Sequence, residues 1–203
     1  MKTVFAAVAV AALTGAAFGQ YSADFSIDGV GFTHTTANAP ATGPQSVNGP
    51  NFTLSYVNTP STDTTDNFFR TNGGALESGD FGGEHQFESF SIDVSSFSSV
   101  DFILDGATDG SSVFNAGSEF FEGFYSLDGG TEVQAFFTTS DGSLNFTETI
   151  DTSAASSLVV GFRANINGGG DGFTINSVTV TPTPGAVALA GIAGFASTRR
   201  RRA

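Results

Sequence analysis

Runs of alternating apolar and polar residues, cut at short intervals by glycine, narrow the fold of this chain more than any other feature. The run SLVVGFRANI places Leu158, Val160, Phe162, Ala164 and Ile166 on one face, and a period of two is that of a β-strand. The same alternation aligns Phe52, Leu54 and Tyr56 in NFTLSYV, Phe90, Ile92 and Val94 in FSIDV, and Val100, Phe102 and Leu104 in SVDFIL. It recurs with Val133, Ala135 and Phe137 in EVQAFF, and with Leu144, Phe146 and Ile150 in SLNFTETI. Between these runs stand NGP at 48–50, NGG at 72–74, DGG at 128–130, SDGS at 140–143 and NGGGDG at 167–172, all of which favour turns. No stretch between them keeps a helical period with caps. Short strands with one polar face and no intervening helices predict an all-β chain, an antiparallel β-sandwich with the jelly roll as the expected arrangement. The polar segments 37–50 and 58–67 read as surface loops, where a rigid sandwich usually carries its binding sites.

The ends differ from this body. Residues 1–19 combine Lys2, an apolar run over 4–13 and small residues near Gly19, which reads as a secretory signal helix cut between Gly19 and Gln20. At the other end a short apolar stretch, expected to be helical, precedes Arg199, Arg200, Arg201 and Arg202. The expected division is therefore a signal peptide at 1–19, a β-sandwich at 20–181 and a C-terminal signal at 182–203.

With the ends removed, only Arg70 and Arg163 face twenty carboxylates, a net charge of −18. A body without lysine has no basic stripe for phosphates, which excludes nucleic acid as a partner, and it is repelled by anionic lipid. The 20–181 segment nevertheless holds nineteen of the twenty-two phenylalanines, too many aromatics for a disordered chain. There is no cysteine, so neither disulfides nor thiol chemistry is available, and core packing must supply the stability.

Candidate chemistry is sparse. His34 and His85 lie far apart in sequence, and His85 reads as a solvated loop or edge residue rather than a general base. A glycosidase needs two carboxylates at a set separation, and no pair among twenty stands out. Nucleophile elbow, phosphate loop and zinc motifs are absent, and the chain reads as a non-enzyme needing no cofactor. The acidic, glycine-rich loops suit a structural calcium better, with Asp24 and Asp171 as its expected ligands, tying the first strand to the last. Phe81 and Phe114, at loop tips, are candidates for stacking on sugars; otherwise no ligand-binding residue is assigned.

The tail resembles the PEP-CTERM sorting signals of exported bacterial proteins. Pro182, Thr183, Pro184 and Gly185 match the proline motif, with threonine where glutamate is usual; 186–197 is the apolar segment and Arg199, Arg200, Arg201 and Arg202 the arginine cluster. The resemblance implies transient membrane insertion with the arginines inside, removal by an exosortase-type protease, and a cell-surface or extracellular body associated with extracellular polysaccharide. In the body, 157–182 resembles the closing hairpin of galactose-binding-like jelly-roll modules, and 120–130 a central strand and turn of those modules, with Asn176 where many carry an acid. The resulting expectation is an exported structural or adhesive protein; the alternatives are a carbohydrate-binding module for a neutral glycan and a secreted hydrolase.

Overall fold

Fourteen strands form among the described residues of the computed structural model, which are 21–33, 45–56, 68–79, 83–110, 113–114, 117–166 and 171–183. In chain order they are β1 (Tyr21–Ser22), β2 (Gly31–Thr33), β3 (Gln45–Asn48), β4 (Phe52–Tyr56), β5 (Phe68–Asn72), β6 (Ala75–Gly79) and β7 (Gly83–Ser89). There follow β8 (Ile92–Asp93), β9 (Ser99–Thr108), β10 (Phe120–Leu127), β11 (Val133–Thr138), β12 (Phe146–Asp151), β13 (Ser157–Ile166) and β14 (Gly172–Pro182). The expected signal helix and C-terminal apolar helix lie outside the described residues.

Every pairing is antiparallel. One sheet runs β12-β9-β14-β6-β5-β2 with β1 added to β14; the other runs β11-β10-β13-β7-β4-β3 with β8 added to β13. Successive strands keep switching layers, as a jelly roll requires: β9 lies in the first sheet, β10 and β11 in the second, β12 in the first, β13 in the second and β14 in the first. The all-β antiparallel sandwich predicted by the alternation is the observed fold.

The alternation places the core. Leu158, Val160, Phe162, Ala164 and Ile166 of β13 are buried, as are Val100, Phe102 and Leu104 of β9, while their odd-numbered neighbours other than Gly161 are more open. Phenylalanine fills the space between the layers. The Phe162 ring stacks on Phe87 and on Phe121, with centroids 5.1 Å away in each case, and meets Phe173 of the opposite sheet edge-on at 6.0 Å. Phe121 also meets Phe173 edge-on, at 5.6 Å, so one aromatic seam locks sheet to sheet.

Three expectations are corrected. His85 is fully buried, because it shares the inward phase of β7 with Phe87 and Ser89. Its ring stacks on Phe173 at 5.6 Å, and its Nε2 lies 3.1 Å from Ser78 Oγ on the opposite sheet. Residues 45–48, expected within a loop, form β3 and pair with β4. The 157–182 segment does not close as a hairpin: β13 pairs with β10, β7 and β8, and β14 with β1, β6 and β9. Each strand has one apolar face, and placing the two in opposite layers lets both faces meet across the core.

The turn DGG shows how the ends of strands are fastened. Asp128 takes a positive φ of 51°, and its carboxylate accepts hydrogen bonds from the backbone N–H groups of Ser156 and Ser157 at 2.9 and 2.8 Å. Those bonds hold its pKa below the usual carboxylate range.

Phe162 is the ring that both layers share. Phe162→Ala should cost about 3–5 kcal/mol of unfolding free energy, read as a lowered denaturant midpoint with an unchanged slope. A loss below about 1 kcal/mol would mean that the seam does not hold the layers.

Candidate functional site

The outer face of the second sheet carries the most distinctive cluster of side chains. Glu122 in β10 stands directly opposite Arg163 of β13 on one side and Phe137 of β11 on the other. All three therefore point away from the core. Phe120, two residues before Glu122, stacks on Phe137 with centroids 5.8 Å apart and planes 20° from parallel. Phe137 is 50% exposed, which leaves an aromatic ledge open on one side.

The ledge exists because β11 breaks step. Gly123 registers with Phe136 and Phe124 with Gln134, so Ala135 is an extra residue, a β-bulge. A perfect alternation would send Val133, Ala135 and Phe137 inward together. The bulge instead turns Phe136 inward, where it stacks on Phe146 at 4.9 Å, and turns Phe137 outward. Gly123 leaves the room this requires, since a Cβ there would lie 2.5 Å from the Phe146 ring. The expectation that Phe137 belongs to the buried face is thus corrected by one inserted residue.

Beside the ledge, a second phenylalanine points outward and is covered. Phe124 lies opposite Gly161, where a Cβ would sit 2.5 Å from its Cζ and 2.5 Å from the Phe87 carbonyl oxygen. The ring fills the space above the glycine, and the Arg163 guanidinium lies over it at 4.3 Å. Arg163 hydrogen-bonds Glu132 and has Glu122 at 3.8 Å and Glu84 at 3.9 Å. Glu84, Glu122 and Glu132 thus converge on one cation. Gln134 and Asn165 flank the ledge, and Asn165 Nδ2 donates to the Ser118 carbonyl at 2.9 Å.

The residues expected from sequence to bind something lie elsewhere. Asp24 is exposed, and hydrogen bonds from the Ser26 side chain and then from the Ser26 N–H keep its pKa low. Asp171 is raised instead, first by burial and then by repulsion from Glu119 and Asp141. The two do not meet. Ala23 N–H donates to the Val178 carbonyl, and Asp171 precedes Val178 by seven residues along extended chain, roughly 20 Å at the rise of a strand. No single ion bridges them, and no group of three or more His, Asp or Glu able to hold a metal occurs among the described residues.

Phe114 is partly buried against the core and its N–H donates to Asp141; Phe81 and His34 lie outside the described residues. Asn176 sits at the bulge of β14, where its Nδ2 lies 3.3 Å from Asp105 Oδ2. Gly19, Gln20, Pro184, Gly185, Arg199, Arg200, Arg201 and Arg202 are also outside the described residues. Pro182 and Thr183 are inside, and they are part of the sandwich. Pro182 registers with Val100, and Thr183 N–H donates to the Ser99 carbonyl at 3.1 Å.

No known protein family matches the sequence, and no curated protein does. Solved structures with a related fold include the xylan-binding module CBM15, at 18% identity and a TM-score of 0.40 over 70% of this chain and 98% of that one. A xylanase 10C mutant from Cellvibrio japonicus with xylopentaose gives 18% identity and a TM-score of 0.39. That match covers 70% of this chain, which spans only 29% of the xylanase chain. A structure described as CBM4 gives 13% identity and a TM-score of 0.35 over 81% of this chain and 86% of that one. All three likenesses are distant, and no residue of this chain takes a role from them.

The raised Asp171 sets a pH dependence. A carboxyl whose pKa is higher folded than unfolded contributes stability below its unfolded pKa and loses it as pH rises through the folded one. Asp171→Asn should therefore raise the thermal midpoint at neutral pH, with the gain vanishing on acidification to about pH 3. An equal gain at both pH values would show that neither burial nor repulsion raises the Asp171 carboxyl in the folded protein.

Proposed function

We propose that the chain is an exported, non-catalytic carbohydrate-binding module that takes a glycan on the outer face of the second sheet. The observation that carries this reading is the Phe120–Phe137 ledge, with Phe137 half open to solvent and polar side chains beside it. One face of a pyranose ring is a row of C–H groups that packs on an aromatic ring, and its hydroxyls project sideways to polar neighbours. Gln134, opposite Phe124, and Asn165, opposite Phe120, are the polar neighbours on the same face that this reading assigns to those hydroxyls.

The same face argues against a hydrolase. Glu84, Glu122 and Glu132 are directed at Arg163 and do not oppose one another across a cleft, as an acid and base acting on a glycosidic bond must. A structural or adhesive role at the surface, as expected from the tail, would follow from holding polysaccharide. The chain enters the sandwich at β1 and leaves it at β14, both in the first sheet, while the ledge lies on the other layer. A membrane-tethered tail sorted by an exosortase-type protease would thus be joined to the sheet opposite the binding face.

Retention of the full chain on insoluble β-1,4-linked polysaccharides tests the reading. At least one should deplete it from solution in a pull-down isotherm, and Phe137→Ala should weaken that binding about tenfold or more, equivalent to roughly 1.4 kcal/mol. The thermal midpoint of the variant should hardly move, because the ring is half exposed. Unchanged retention of Phe137→Ala, or no retention on any glycan, would sink the proposal.

A further inference from the structure

We infer, granting the glycan-binding reading above, that the ledge selects an amino-sugar polymer with free ammonium groups, and that Glu122 is the residue that reads them. The argument starts from register. Glu122 lies directly opposite Phe137, and such cross-strand partners have Cβ atoms about 5 Å apart. A sugar seated on Phe137 therefore holds its ring substituents over the Glu122 carboxylate.

That carboxylate is under-neutralised. The other body arginine, Arg70, belongs to the opposite sheet, where it covers Phe68 at 4.3 Å and pairs with Glu77 at 3.8 Å. Among the described residues Arg163 is the one arginine on this face, and its hydrogen bond goes to Glu132. Its contacts with Glu122 and Glu84, at 3.8 and 3.9 Å, are longer than hydrogen bonds, and both carboxylates keep about a fifth to a quarter of their side-chain surface open. Glu88 lies on the same face further along β7, opposite Thr53. Three carboxylates thus share one guanidinium beside the ledge, and Glu88 adds a fourth negative charge to the same outer face.

Charge complementarity decides between occupants. A uronate polymer would bring like charge to a face that already has too much of it, and nearby repulsion of this kind costs affinity. A neutral sugar would leave Glu122 as it is. An ammonium at the C2 position of a stacked pyranose would give Glu122 a charge-assisted hydrogen bond, the stronger class of such bonds. The acidic body adds long-range attraction for the same cationic polymer.

The test uses the full chain and three hexasaccharides with one β-1,4 backbone: glucosamine hexaose, cellohexaose and N-acetylglucosamine hexaose. They differ only at C2, where they carry ammonium, hydroxyl and acetamido groups. Titration calorimetry at mildly acidic pH and low salt should show glucosamine hexaose binding about tenfold or more tighter than the other two. Glu122→Gln should remove most of that preference, and Asp105→Asn, one charge removed from the opposite sheet, should leave it intact. Equal affinity for glucosamine hexaose and cellohexaose, lost together in Phe137→Ala, would overturn the charge inference and leave the glycan reading standing. A preference that Glu122→Gln and Asp105→Asn reduce alike would overturn it too, by tracing it to the net charge of the body. Failure of all three sugars to bind would overturn the amino-sugar inference, while the glycan reading would still stand or fall on the polysaccharide retention test above.

Discussion

The contact between Phe162 and Phe173 across the two layers is the interaction on which the rest of the structure depends. Without disulfides, a sandwich must be held by what its layers share, and here they share stacked and edge-on phenylalanine rings. Phe87, Phe121 and Phe162 come from three adjacent strands of one sheet, so a single seam fixes both their spacing and their position over the other sheet. His85 extends the seam with a stacked ring and a hydrogen-bonding nitrogen, which couples β7 to Ser78 in β6.

That seam also explains how a site arises on the far side of the sheet. Filling the interior with rings leaves little space for β10 and β11, and the strands adjust by two glycines and one inserted residue. Gly123 admits the Phe146 ring from the opposite sheet, and Gly161 seats Phe124 on the outside. The bulge at Ala135 then divides two adjacent phenylalanines, Phe136 to the core and Phe137 to solvent. The ledge is thus a product of core packing, and it is held by strands rather than by loops.

The two body arginines serve matching purposes on the two outer faces. Each lies 4.3 Å above a phenylalanine that points out of the sheet, and each has a glutamate beside it. A guanidinium can cover a ring and still offer its edge to carboxylates, which a lysine ammonium does poorly. A body with twenty carboxylates and no lysine therefore keeps its only cations where aromatic surface would otherwise be bare.

The sequence by itself determined the fold class, because the side-chain period of a strand is fixed by backbone geometry and the residues of β9 and β13 follow it without a break. It also determined the turns, where Gly and Asp relieve backbone strain, as at Asp128. The inward place of His85 was legible too, in its phase with Phe87, although a polar residue draws attention to solvent first. What only the tertiary structure decided was pairing and phase. Which strands share a sheet depends on contacts between residues distant in the chain, so β13 and β14 parted into separate layers. The outward turn of Phe137 depends on a bulge opposite Gly123, and no local pattern in EVQAFF marks it. Asp24 and Asp171, near the two ends of the body, were held apart by the register of β1 on β14, a distance that composition cannot encode.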